Sequence, residues 1–193
     1  VTSMHYRGDV AGPTSSTSPD IAQEGGHEGA RSRTGALVVR ELDLSDPAEQ
    51  RLLVELTDLY ARDAMGAGRG LEQEVKLKLG AAVARHPTTF AYVAEEDGIP
   101  LGHALCFLGF SSFYAQTTVN IHDLSVVAGA RGKGIGHLLL QAVESAARKH
   151  DCAKLLLEVR DDNAIARHLY SSAGFHPYRC GHASYLAMEK RII

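Results

Sequence analysis

The sequence predicts an α/β fold, a mixed sheet with helices on its faces. Three observations carry that reading. Apolar runs with strand character alternate with amphipathic helical runs in the order β, α, α, β, β, β, α, β, α, β. The run "AKLLLEV" (153–159) is almost unbroken in apolar residues, as in a strand covered on both faces. The glycine-rich "ARGKGIG" (130–136) stands between the apolar end of one strand and the start of an amphipathic helix. With 193 residues, one domain is expected at about 100–200 residues per domain.

Residues 1–34 stand apart. "AGPTSSTSPD" and "QEGGHEGARSRTG" are rich in Gly, Ser, Thr and Pro and bury too little surface to offset their ordering entropy. They are expected to be a flexible extension or an arm that docks on another copy. The folded domain is expected over 35–193. "ALVVREL" (36–42) reads as its first strand. Ser45 or Asp46 caps the next helix, with Pro47 in its permissive first turn; Leu52, Leu56, Leu59 and Tyr60 form a stripe at helical spacing. A second helix over 71–85 carries Leu71, Val75, Leu79 and Val83, weakened by Gly80, and ends at His86-Pro87. "TTFAYVAEE" and "PLGHALCFLGF" flank "DGI", a hairpin signal. "TTVNIHDLSVV" is the next extended run. A helix over 134–150, the strand at 153–159 and a short helix in "NAIARHLYSSA", ended by Gly174, follow. A short strand at 175–178 and a closing strand in "ASYLAMEK" complete the order.

Composition excludes some classes. The net charge of −3 gives no general basic surface for nucleic acid. No apolar run reaches the ~18 residues of a membrane span. No signal-peptide core is evident, so a cytoplasmic setting is the default. Cys106, Cys152 and Cys180 lack metal-ligand spacing and read as reduced thiols, and no metal is expected.

The glycine loop has a physical use. A helix start leaves main-chain N–H groups without partners and carries partial positive charge. Glycines let a phosphate approach that backbone, and Arg131 and Lys133 add charge. A Walker loop is excluded because Gly134, not Ser or Thr, follows Lys133. A dinucleotide fingerprint fails on spacing, G-x-G-x-G instead of G-x-G-x-x-G.

Arg131-Gly132-Lys133-Gly134-Ile135-Gly136 resembles the (Q/R)-x-x-G-x-(G/A) loop of the GNAT superfamily of acetyl-CoA-dependent N-acetyltransferases. The stretch Asn163 to Phe175 is similar to that family's N-x-x-A-x-x-L-Y-x-x-x-G-F segment. The resemblance covers about 121–175 closely and 35–188 in element order. It implies a mostly antiparallel twisted sheet, splayed between its fourth and fifth strands and flanked by about four helices. It implies that the amides of 131–136 bind the coenzyme A diphosphate. The pantetheine arm is then expected between the splayed strands against Leu124, Ser125 and Val126, with Asn163 and Ala166 also touching the cofactor.

The same resemblance makes Tyr170 the general acid beside the thioester sulfur; periodicity alone allows Ala166, Tyr170 and Ala173 to be a core stripe. Asn163 could equally be a helix cap. A base is expected from the strand before the loop. Histidine is the side chain whose ordinary pKa lies near working pH, so His122 is a sensible base, with Asp123 beside it. Strand alternation puts Asn120 and His122 on one face and Asp123 on the other, and a structural His–Asp pair remains the alternative. The acceptor is expected to be a primary amine of a small molecule, shaped by 61–70, 109–116 and 177–183. In the second of these, Phe110, Phe113 and Tyr114 could form an acceptor wall, close the core or form a homodimer. The competing class is a non-catalytic acyl-CoA-binding regulatory domain.

Overall fold

The computed structural model describes residues 35–180, 183–184, 188 and 190. The expected extension at 1–34 and most of the closing "ASYLAMEK" run lie outside these residues. The described elements are β1 (Leu37–Glu41), α1 (Pro47–Arg62), α2 (Gln73–Arg85), β2 (Thr89–Glu96), β3 (Ile99–Ser111), β4 (Gln116–Val126), a 3-10 turn (Ala128–Ala130), α3 (Ile135–Lys149), β5 (Lys154–Leu157), α4 (Ala164–Ser172), β6 (Arg179–Cys180) and β7 (Ala183–Ser184). β1 to β5 form a five-stranded sheet in chain order. All neighbours are antiparallel except β4 and β5, which run parallel. β6 and β7 pair with each other in a separate small sheet. The strand expected at 175–178 is irregular; pairing begins at Arg179.

Local chemistry explains the boundaries. Asp46, not Ser45, caps α1, its carboxylate accepting from Ala48 N at 2.7 Å; Ser45 instead bonds Asp43. The β2–β3 turn is Asp97-Gly98, both at positive φ (52° and 76°), the two-residue geometry that matches strand twist. Gly80, a weak point for α2 by propensity, is where α2 meets α1. A Cβ there would lie 3.0 Å from Gln50 Cβ.

The sheet carries a core on each face. On one, Ala94, Ala104, Cys106, Val119 and Ile121 meet Ile135, Leu139, Leu140, Val143 and Ala147 of α3 and its entry. On the other, Ala91, Val93 and Leu105 meet Leu53 and Leu56 of α1 and Val83 of α2. The α1 stripe is thus turned slightly from expectation: Leu53 is buried and Leu59 faces outward.

β5 is shorter than its apolar run. Its last pair is Leu157 with Ile121. One residue further, β4 carries a bulge: Cys106 pairs with Ile121 and Leu105 with Asp123, leaving His122 as the extra residue. A bulge bends its strand and increases its twist. β4 continues beside β3 to Val126, while the chain after Leu157 leaves. The expected splay between the fourth and fifth strands begins where the bulge does.

Candidate active site

The splay leaves Asp123 to Val126 paired on one side only, to β3, with His122 set apart in the bulge. After Val126 the chain makes its 3-10 turn and enters the loop 131–134, which is exposed throughout. Gly132 and Gly134 have φ of +78° and +79°, a conformation costly to residues with a Cβ. Alternating conformations of this kind point successive N–H groups into a concavity that suits an anion. Among the described residues, nothing accepts from the N–H groups of Gly132, Lys133, Gly134, Ile135 or Gly136; the first closed bond is His137 N to Gly134 O at 3.0 Å. Gly134 caps α3 with no side-chain bond. Gly136 has a packing reason as well, since a Cβ there would meet Leu169 of α4 at 2.8 Å.

The two cations of the loop differ. Lys133 is exposed and forms no ion pair among the described residues. Arg131, expected to reach phosphate, is turned inward: its Nη2 donates to Asp63 Oδ2 at 2.5 Å and its Nε to Val126 O at 3.0 Å.

The bulge also corrects the expected faces of the His–Asp pair. Asp123 shares Leu105's side of the sheet through their pairing, and Leu105 belongs to the α1 core. The His122 ring meets Phe107 edge-on at 5.5 Å, and Phe107 packs on that same core. Simple alternation fails because the extra residue resets it. Both groups therefore face α1, and Leu124 and Val126 join Val119 and Ile121 against α3. Burial raises the Asp123 carboxyl above the ordinary carboxylate range, against the lowering effect of His122. His86 continues the ring series, meeting Phe107 at 5.1 Å.

Tyr170 is half-buried on α4, its ring 5.9 Å from that of Phe175. Burial, with Tyr60 adding to it, pushes its hydroxyl up to about 12. The group is thus a neutral donor at physiological pH, and it also packs against the α3-side core, as its helical stripe suggested. Asn163 does cap α4, accepting from Ala166 N at 3.0 Å; Ala166 is half-buried one turn before Tyr170.

Sequence reading missed several groups here. Tyr60 lies in the last turn of α1, its hydroxyl raised by burial and then by Asp123 and Asp63; by sequence pattern it is one more member of an apolar stripe. Asp63, just beyond it, holds Arg131 and accepts from Met65 N at 2.8 Å. Arg160 pairs with Asp162 and donates to Ala64 O at 3.3 Å. His103 is another, fully buried, its Nδ1 bonded to Oγ of the already expected Ser125 at 3.0 Å and its Nε2 3.5 Å from Thr57 Oγ1. A tyrosine at a helix end, beside a glycine-rich linker, is the signal that could have found Tyr60.

The aromatic loop lies elsewhere. Phe110, Phe113 and Tyr114 are 70%, 94% and 60% exposed, so they do not close the core. They cluster at the hairpin, whose β4 end at Gln116 is about 20 Å along the strand from His122. Lys154 lies over the Tyr114 ring at 5.4 Å. Among the described residues, no group of three or more His, Cys, Asp or Glu could hold a metal, and no helix is long and apolar enough to cross a membrane.

Comparison with known proteins bears on the family and the fold. Residues 53–175 match the profile of the acetyltransferase (GNAT) family. Streptothricin acetyltransferase of Streptomyces lavendulae is 42% identical over 87 residues, 45% of this chain and 43% of that protein. An uncharacterized N-acetyltransferase of Bacillus subtilis, YhfO, is 35% identical over 83 residues, 43% of this chain and 56% of that protein. The matches thus span about half the length of these relatives. Among solved structures, an integron cassette protein from the mobile metagenome of V. cholerae superposes with a TM-score of 0.66 at 25% identity, covering 80% of this chain and 93% of that one.

Proposed function

This chain belongs to the acetyltransferase (GNAT) family, and we propose that it transfers the acetyl group of acetyl-CoA to a primary amine of a small molecule. The observation that carries this reading is the run of unpartnered amides from Gly132 to Gly136 at the mouth of α3. Those amides and the exposed Lys133 fit a diphosphate in number, charge and openness. The one-sided edge of β4 at Leu124, Ser125 and Val126 fits an extended arm that completes a strand's hydrogen bonds, with Asn163 and Ala166 on α4 across the splay. When bound, acetyl-CoA supplies the activated acetyl group as a thioester.

The chain's own residues handle the protons. An ammonium is not a nucleophile, so the amine must shed a proton, and a thiolate leaves more readily when it gains one. His122, exposed on the bulge, takes the amine's proton directly or through water. Asp123, beside it on the same face, attracts a cationic acceptor. Tyr170 holds its proton to high pH and donates it to the sulfur. The bulge turns His122 and Asp123 together toward α1, which supports reading that side as the acceptor side, with the cofactor loop following at the strand's end. Streptothricin acetyltransferase, by its name, suggests a small molecule such as streptothricin as the acceptor.

Thiol release from acetyl-CoA tests the reading, with streptothricin, an aminoglycoside, a polyamine and free amino acids offered as acceptors. Turnover with a multi-amine compound is expected. CoA binding without turnover on any primary amine would leave only a binding domain.

A further inference from the structure

Arg131 belongs by position to the cofactor loop, yet its side chain serves another purpose. Three bonds locate it. Its Nη2 reaches Asp63 Oδ2 at 2.5 Å, its Nε reaches the last carbonyl of β4, Val126 O, at 3.0 Å, and its main-chain N–H closes weakly on Ala128 O at 3.4 Å. Asp63 in turn is the C-cap of α1, where the 63–72 linker begins.

That linker is a built object. Ala61 O accepts from both Ala67 N and Arg69 N, and Asp63 O from both Gly66 N and Gly68 N. Asp58 Oδ1 closes its far end on Leu71 N at 2.7 Å. Gly66 fits only without a Cβ, which would fall 2.2 Å from Tyr60 O. A segment bonded to itself in this way moves as a unit. Its ties to the rest of the site are Arg131, through Asp63, and Arg160, through Ala64 O at 3.3 Å.

We infer that Arg131 is a cross-brace and not a phosphate ligand, and that Asp63 is a positioning residue coupling the cofactor loop to the acceptor-side linker. The inference rests on the acetyltransferase reading only for the names of the two sides. A phosphate seated on the amides of 132–136 need not displace the guanidinium. The loop it stiffens is the loop that Arg131 anchors to β4 and α1. Cofactor occupancy is thereby transmitted to the linker that carries Asp63 and flanks Tyr60. The contact is partly exposed, with side chains 46% and 21% accessible, so its energetic weight is modest and its geometric role is the larger one.

The test combines calorimetry with CoA and amide hydrogen exchange, on the wild type, Asp63→Asn, Asp63→Glu, Arg131→Gln and the Asp63→Asn/Arg131→Gln pair. In the wild type, CoA is expected to slow exchange at 64–70 as well as at 131–136. In Asp63→Asn and Arg131→Gln the protection at 64–70 is lost while that at 132–136 persists, and Asp63→Glu retains both. CoA affinity falls no more than about threefold in each single variant, well inside the roughly tenfold per 1.4 kcal/mol of a lost strong contact. The double variant is no worse than the weaker single, because both remove the charge pairing of one contact. A tenfold or greater loss of CoA affinity in Arg131→Gln with none in Asp63→Asn would make Arg131 a phosphate ligand and overturn the inference. Surviving protection at 64–70 in Asp63→Asn would overturn it too. Should the wild type fail to bind CoA, the acetyltransferase reading falls. The brace then stands or falls on uncomplexed exchange, which must quicken at both 64–70 and 127–132 in either single variant.

Discussion

The two faces of the sheet at the splay solve different problems with different materials. Toward α3 the working groups are main-chain amides, left free by glycines and backed by a continuous apolar core from Ile135 to Ala147. Toward α1 the working groups are side chains, and many are already engaged: Asp63 by Arg131, Arg160 by Asp162, His122 by Phe107, Ser125 by His103. A site made of amides recognises a feature common to one cofactor. A site made of side chains drawn from α1, β3, β4 and the segments after α1 and β5 can be altered one residue at a time, which would suit the half proposed to select an acceptor.

The sharpest break in this contrast is expected at Tyr170 on α4. Tyr170→Phe should cut turnover by about a thousandfold, within the range of a lost general acid, with CoA affinity nearly unchanged. Equal turnover in thiol-release assays would remove Tyr170 from the chemistry and leave it as packing against Phe175.

Next in size is the α1 face. His122→Gln should lower turnover by about a hundredfold and abolish the acidic limb of the rate–pH profile. A wild-type-like limb would transfer the role to Asp123, whose carboxyl burial already raises.

Much of this was legible before any coordinates. The glycine loop, the amphipathic helix behind it and the strand order were written in local patterns, because φ and periodicity are local demands. The bulge at His122 was not. No residue in "NIHDL" requires an extra residue in the ladder; register is settled by the partner strand and by what packs on each face. That single irregularity reversed the reading of Asp123. Tyr60, His86 and Phe107 were invisible for a related reason, since they converge on the site from distant parts of the chain. The inward turn of Arg131 also depends on a partner far off in sequence, Asp63.

A smaller effect separates backbone from side chain on the α3 face. Gly134→Val imposes a branched residue on φ of +79°, a strain of about 1–3 kcal/mol. It should weaken CoA binding about tenfold while leaving Tyr170 chemistry intact at saturating cofactor. Unchanged affinity by calorimetry would mean that the loop geometry is incidental.

The last effect, which leaves activity at neutral pH unchanged, lies in the buried support of the α1 face. Burial lowers His103 to about 4 from an ordinary 6.5, so the folded protein refuses a proton that the unfolded chain accepts. Its contribution to stability is therefore complete above pH 6.5 and is lost as pH falls from 6.5 toward 4, at up to about 1.4 kcal/mol per pH unit. Denaturant titrations of His103→Gln should show that slope flattened. Asp58, held near 2 chiefly by Lys76, acts lower: its contribution is lost only as pH drops from about 4 toward 2, and it should survive in the variant.

The most direct measurement follows individual amides while CoA is titrated into isotopically labelled protein by NMR. The N–H signals of Gly132, Lys133, Gly134, Ile135 and Gly136 should move downfield together and saturate with a single affinity, as new charge-assisted bonds form. Saturable CoA binding that leaves those signals in place, or no binding at all, would contradict the account.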